Sequence, residues 1–87
     1  MKQIICICSP FSLYQEIKII TDGLITEEFK CETKFLSNTL VEYAYGKQIP
    51  NITLKGNKSY LEKFRKDILN IEQSKYSKGY INLNMIA

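Results

Sequence analysis

The cysteines are the most reactive side chains in this chain, which has three of them and no histidine. Cys8-Ser9 stands at the expected end of a strand, where a thiolate nucleophile would be well placed. Such a nucleophile needs a loop of backbone amides or an arginine to lower its pKa. The following Pro10–Tyr14 stretch has no glycine or arginine, and Pro10 removes an amide donor. We therefore expect a structural thiol and assign no catalytic residue.

A metal site built from thiolates is the second chemistry to consider. Cys6, Cys8 and Cys31 could supply three ligands, and Cys6 and Cys8 share one face of a strand. Structural zinc normally takes four ligands with Cys-x-x-Cys-type spacing, and no histidine supplies the fourth. We predict small buried side chains, with no metal and no cofactor.

A basic segment offers an anion-binding site. Gly56-Asn57-Lys58-Ser59 links an expected strand to a helix start, where free amides favour anions. The segment lacks the Gly-Lys-Ser/Thr ending of a P-loop. Glu62 and Asp67 dilute the positive charge, and a polar turn is the simpler interpretation. The residues predicted to contact an anion or nucleic acid are Lys55, Gly56, Lys58, Ser59, Arg65 and Lys66.

Tyrosine is the third group of interest, with six tyrosines and no tryptophan in the chain. Tyrosine is enriched at protein interfaces, although some of these side chains must rim the core. The predicted interface residues are Tyr43, Tyr45, Tyr60 and Tyr76.

Size and composition limit the classes of function that are possible. The 87 residues make one domain, and the composition of 45% hydrophobic and 24% charged residues is typical of a soluble protein. A net charge of +3 is small for a dedicated nucleic-acid binder. The odd number of cysteines, the absence of a signal-like segment and the lack of a long apolar run indicate a cytoplasmic protein without a membrane anchor.

The second half of the chain has the clearest structural pattern. Asn51–Lys55 alternates as a strand, and Tyr80–Ile86 alternates as another. Between them, Ser59-x-x-Glu62 predicts a capping box that opens a helix with a narrow apolar stripe. An earlier helix is predicted from an N-cap at Thr33 to Tyr45, with Gly46 ending it.

The first half allows two interpretations. The apolar run from Gln3 to Cys8 predicts a central strand buried on both faces. Residues 10–21 could then form a helix starting at Ser9-Pro10, or a turn followed by the strand Glu16–Thr21. Asp22-Gly23 between β-branched runs favours the second, with Leu24–Cys31 as the return strand. A two-residue loop would place Ile20 opposite Ile25, Lys18 opposite Glu27 and Glu16 opposite Phe29, so that neither face is cleanly apolar.

The favoured order is therefore β-β-β-α-β-α-β, an α/β domain with a mixed sheet. The alternative is a small β-α-β-α-β-α-β domain. The favoured order resembles the core of the ribonuclease H-like fold, in which three antiparallel strands precede alternating helices and strands. Nucleases of that fold place a carboxylate in the first strand and gather others around two metal ions. Here Ile4–Cys8 contains none and Glu42 is the sole candidate, so the resemblance implies this topology without catalysis.

These observations predict a small non-catalytic protein-interaction or regulatory module. We expect a protein partner or a homodimer, formed through a sheet edge or a tyrosine-bearing helix face. The alternative is a module that binds nucleic acid or a phosphate ligand through Lys55–Lys66. Richness in Ile, Lys and Asn indicates an AT-rich source genome and suggests a phage or mobile-element origin.

Overall fold

The computed structural model describes all residues from 1 to 87, in the order β-β-β-α-β-α-β. The first three strands are followed by a short 3-10 turn, Thr33–Phe35, that leads into the first helix. The elements are β1 (Lys2–Ile7), β2 (Tyr14–Thr21), β3 (Leu24–Glu32), α1 (Leu36–Lys47), β4 (Asn51–Lys55), α2 (Lys58–Lys75) and β5 (Asn82–Ile86). The predicted order is confirmed, and the helix proposed over residues 10–21 is absent.

The hairpin between β2 and β3 turns at Asp22-Gly23, as the sequence predicts. Both residues have positive φ, 51° and 82°, which is the backbone conformation of a type I′ turn. Ile20 lies opposite Ile25 as expected.

A β-bulge between Ile19 and Ile20 shifts the rest of the hairpin register by one residue. The predicted pairs of Lys18 with Glu27 and of Glu16 with Phe29 are therefore wrong. Lys18 instead lies opposite Glu28, 3.6 Å from its carboxylate, and Ile17 lies opposite Phe29. The bulge thereby places Ile17 with Phe29 on the helix-covered face and Lys18 with Glu28 on the outer face.

The strands form one five-stranded sheet in the order β3-β2-β1-β4-β5. β1 is antiparallel to β2 and parallel to β4, while β5 is parallel to β4. α1 and α2 contact each other and so lie on the same face of the sheet. This is the arrangement expected of right-handed crossovers that both move toward β5. The structure is thus a sheet covered by one helical layer.

The core lies between this helical layer and the inner face of the sheet. Ile4, Cys6, Ile52 and Leu54 are fully buried beneath Leu40, Leu61 and Ile68 of the helices. The prediction that β1 is buried on both faces is wrong, because no helix covers the outer face. Ile5 is only half-buried there, and Ile7 is 37% exposed.

Both predicted helix starts are wrong. Asn57, not Ser59, caps α2, because its side-chain oxygen accepts hydrogen bonds from the Ser59 and Tyr60 amides at 3.0 and 3.3 Å. Asparagine is among the strongest N-cap residues, so α2 starts earlier and no Ser59–Glu62 capping box forms. Glu62 instead pairs with Arg65 at 4.0 Å. Thr33 starts the 3-10 turn and makes no capping bond.

The predicted end of α1 at Gly46 is also wrong. The helix continues to Lys47, and Gln48 takes the left-handed conformation with φ 56°. This extension brings Ile49 into the core, where it is buried and its amide donates to the Ala44 carbonyl at 2.7 Å. The burial of Ile49 accounts for the later end of the helix.

Gly56 gives the first test of this fold. Its φ is +154°, and a Cβ there would lie 2.7 Å from the Cys8 carbonyl oxygen. We expect Gly56→Ala to lower the free energy of unfolding by about 2–4 kcal/mol, measured by urea denaturation. Gly46→Ala is the control, since Gly46 lies in α1 with open space around it. This change should raise the free energy of unfolding by about 0.5–1 kcal/mol. Equal, small effects at both positions would contradict the close approach of β4 to Cys8.

Candidate functional site

The candidate site is an apolar end of the molecule that we call the apex, formed by residues 9–14 and 33–35. Phe11 is 98% exposed and Leu13 is 81% exposed, while Tyr14 and Phe35 are each 53% exposed. Nine large apolar residues of the chain are exposed, and these four share the apex. Such clustering is typical of an interaction surface, whereas single exposed apolar residues are ordinary.

The buried side chain of Gln15 holds the apex loop in place. Its Oε1 accepts from the Ser9 amide at 2.7 Å, and its Nε2 donates to the Ser9 carbonyl at 2.9 Å. Nε2 also lies 2.9 Å from Thr33 Oγ1 and 3.2 Å from the Tyr60 hydroxyl. One amide thereby ties the loop to β2, to the 3-10 turn and to α2.

Thr33 completes the connection between the two segments of the apex. Its amide donates to the Leu13 carbonyl and its hydroxyl to the Ser12 carbonyl, both at 2.8 Å. These bonds hold Leu13 beside the start of α1. The exposed apolar side chains therefore stand on a fixed backbone.

A groove of about 730 Å³ opens beside the apex, between the start of α1 and the middle of α2. Its rim carries both charge signs, with Lys34 and Lys63 against Glu32 and Asp67. Its less polar lining comes from both helices and the apex, and includes Leu13, Tyr14, Thr33, Ser37, Phe64 and Ile71. The groove can receive an apolar side chain or short segment flanked by charges of either sign.

The thiols lie just beneath the apex. Cys6 Sγ and Cys8 Sγ are 3.2 Å apart in the core, and Cys31 Sγ is 3.3 Å from Thr39 Oγ1. The hydrogen bond between the first two thiols, together with burial, raises the pKa of Cys6, and the same bond lowers the pKa of Cys8. No cluster of three or more His, Cys, Asp or Glu side chains is arranged to hold a metal ion. Glu42 is exposed on α1.

The predicted anion-contact residues lie around the end of β4 and along α2. Lys55, Lys58, Ser59 and Lys66 are exposed, but the Ser59 and Tyr60 amides already donate to Asn57. An anion at this helix start would have to displace that cap. Arg65 lies within 4.0 Å of Glu62, which partly neutralises it.

The four tyrosines predicted as an interface do not form one surface. The Tyr43 hydroxyl donates to Glu27 and its ring packs on Phe29 of β3. Tyr60 meets Phe64 edge to face below the apex. Tyr45 and Tyr76 stack with ring centroids 4.0 Å apart near the end of α2. All four are half-buried. Their contacts divide them among three separate places on the molecule.

The buried carboxylate of Glu72 organises the last of these places. Its Oε1 accepts from the Tyr45 hydroxyl and from the Ile81 amide, each at 2.9 Å. The Tyr45 hydroxyl also lies 2.7 Å from the Ser77 carbonyl oxygen. These contacts fix the connection between α2 and β5.

Sequence reasoning missed the residues that matter most at the apex. Phe11 and Leu13 lie in the stretch predicted as a helix or a turn, and neither they nor Gln15 are among the predicted site residues. The usable signal was a run of large apolar residues, Phe11, Leu13 and Tyr14, inside a turn that cannot bury them. The partners of Gln15 are remote in sequence and left no local signal.

Scans against protein-family models and against curated proteins found no match to this chain. No helix in the structure combines the length and the apolar character needed to cross a bilayer.

Gln15→Leu tests the apex support. The change leaves the Ser9 amide and Thr33 without their buried partner, so we expect a loss of about 1–3 kcal/mol in unfolding free energy. Amide hydrogen exchange at Ser9 should accelerate. Gln3→Leu on the outer face of β1 is the matched control and should change stability by less than about 0.5 kcal/mol. Similar effects of the two changes would contradict the role given to Gln15.

The raised pKa of Tyr45 predicts that the protein loses stability at alkaline pH. Burial and the Glu72 carboxylate raise its pKa to about 12 from the ordinary 10.0. Because the folded state holds this proton more tightly, the stabilisation is complete below pH 10 and is lost as the pH rises toward 12. Phenolate absorbance of Tyr45→Phe should lack one late-titrating group, and its alkaline stability loss should be smaller. An unchanged titration curve would contradict this assignment.

Proposed function

We propose that this protein is a non-catalytic protein-interaction or regulatory module that contacts a protein partner through the apex. The observation that carries the proposal is the pairing of four exposed apolar side chains with a rigid, hydrogen-bonded loop. A flexible loop would lose conformational entropy on binding, whereas a loop already fixed by hydrogen bonds from Gln15 and Thr33 avoids most of that cost.

The fold supports a role without catalysis. The strand order 3-2-1-4-5 and the β-β-β-α-β-α-β connection support the proposed ribonuclease H-like topology. In that topology the catalytic carboxylate would stand in β1, which here reads Lys-Gln-Ile-Ile-Cys-Ile. We propose that the scaffold serves to present a surface, in a protein of the cytoplasm and of phage or mobile-element origin.

The partner segment is expected to be apolar at its centre and to carry charges at its ends. Phe11 and Leu13 offer large apolar contacts, and the adjacent groove adds Phe64 and Ile71 at its base. The charged rim supplies complementary contacts on either side. This layout of an apolar centre within a polar rim is that of protein interfaces generally.

The test is a comparison of matched double variants in quantitative capture from source lysate. Phe11→Asp with Leu13→Asp should keep the fold, because both side chains are exposed, and should lose at least about tenfold in retained partner. Leu24→Asp with Ile25→Asp is the control, since these residues are exposed at the hairpin end and should retain the partner. A partner retained equally by both variants would count against the apex.

Nucleic-acid binding through Lys55–Lys66 is the outcome that would replace this proposal. Fluorescence anisotropy with generic RNA and DNA at low salt measures it directly. Salt-sensitive binding that is lost in Lys58→Glu with Arg65→Glu would favour the alternative. We expect no such binding, since the Asn57 cap occupies the helix start and Glu62 pairs with Arg65.

A further inference from the structure

The two edges of the sheet differ in their protection against pairing. β3 carries Glu27, Glu28 and Lys30, and its pairing with β2 is kinked by the bulge. Charges and bulges of this kind keep an edge strand from joining another sheet. β5 reads Asn-Leu-Asn-Met-Ile, with no charge, no proline and no bulge. β5 is therefore the unprotected edge.

The hydrogen-bonding groups that β5 leaves free can be identified. The Asn82 amide donates to the Pro50 carbonyl at 2.6 Å, and the Ile86 carbonyl accepts from the Gly56 amide at 3.0 Å. In a parallel pair, alternate residues of a strand bond to the same neighbour, so Asn82, Asn84 and Ile86 face β4. The main-chain groups of Leu83 and Met85 consequently point away from the sheet.

We infer that β5 pairs antiparallel with β5 of a second copy of this chain, about a two-fold axis at Asn84. In this register the Leu83 amide donates to the Met85 carbonyl of the second copy, and the Met85 amide donates to its Leu83 carbonyl. The two five-stranded sheets then become one continuous sheet with all helices on one face. A second copy fits because the uncharged strand is complementary to itself.

The surroundings of β5 also permit this pairing. Phe64 and Ile71 of α2 line the groove toward α1, so the opposite flank of α2, with Glu62, Arg65 and Leu69, lies beside β5. Glu62 and Arg65 already pair with each other at 4.0 Å, and Leu69 is half-buried. This flank of α2 therefore carries both charge signs.

β5 is held in position before any second copy arrives. Glu72 binds the amide of Ile81, directly before the strand, and Tyr80 packs on Tyr45 with ring centroids 4.6 Å apart. An edge strand fixed in this way loses little freedom on pairing. The inference concerns a surface separate from the apex, which lies over the β2 and β3 side of the sheet.

Sedimentation equilibrium over a range of concentrations tests the dimer. We expect the unmodified chain to dimerise reversibly. Asn84→Lys places two lysines opposite each other at the two-fold axis and should weaken dimerisation about fivefold. Asn82→Lys adds the same charge opposite Ile86 of the second copy and is the control, with a smaller effect.

Met85→Pro removes an outward amide while keeping the bonds to β4, and should weaken dimerisation by about tenfold or more.

A mixing experiment tests whether Asn84 lies opposite Asn84 of the second copy. Asn84→Asp alone should also dimerise poorly, whereas an equal mixture of Asn84→Lys and Asn84→Asp should form a heterodimer at least as tight as the unmodified dimer. A strictly monomeric chain would overturn the inference, as would a dimer that Asn84→Lys and Met85→Pro leave unchanged. Failure of the mixture to associate would overturn the two-fold axis at Asn84. None of these results bears on partner capture by the apex, so the two proposals fail separately.

Discussion

The structure depends on one constraint, which is that both helical crossovers pass over the same face of the sheet. β3 and β4 flank the β1–β2 pair, and β5 lies one strand further in the same direction, so right-handed connections put α1 and α2 in a single layer. Apart from Ile49, which follows α1, the largest fully buried side chains belong to one sheet face and to the helices, with Ile4, Ile52 and Leu54 at the centre. A chain of 87 residues has apolar material for one such core and no second one.

The uncovered parts of the sheet follow from this one-sided arrangement. The outer face carries cross-strand ion pairs such as Lys18 with Glu28, and the bulge at Ile19 and Ile20 places Glu28 rather than Glu27 opposite Lys18. Four of the nine large apolar residues that stay exposed lie at the apex, while β5 leaves an uncharged edge. Both surfaces are held by buried polar groups, the amide of Gln15 in one case and the carboxylate of Glu72 in the other. Polar groups in the interior thus specify where the exposed surfaces stand.

Local patterns in the sequence predicted the element order and the Asp22-Gly23 hairpin, because turn chemistry and strand alternation act over a few residues. They could not predict the bulge, since the gain from aligning Ile17 with Phe29 depends on which face the helices later cover. Asn57 and Ser59 are both acceptable N-caps, and only the path out of β4 decides between them. The candidate site was harder still, because Gln15 joins Ser9, Thr33 and Tyr60 across three segments. Local sequence patterns carry no information about contacts between segments that are far apart in the chain.

The one-sided core can be tested most directly by thiol labelling of neighbouring positions in β1. Ile7→Cys places a thiol on the outer face, next to the native Cys6, which is fully buried on the inner face. Maleimide labelling under native, reducing conditions, mapped by mass spectrometry, reports both positions in one molecule. The account predicts rapid labelling at position 7 and protection of Cys6 until the chain unfolds. Equal protection at both positions would show that the outer face is covered and would contradict the account.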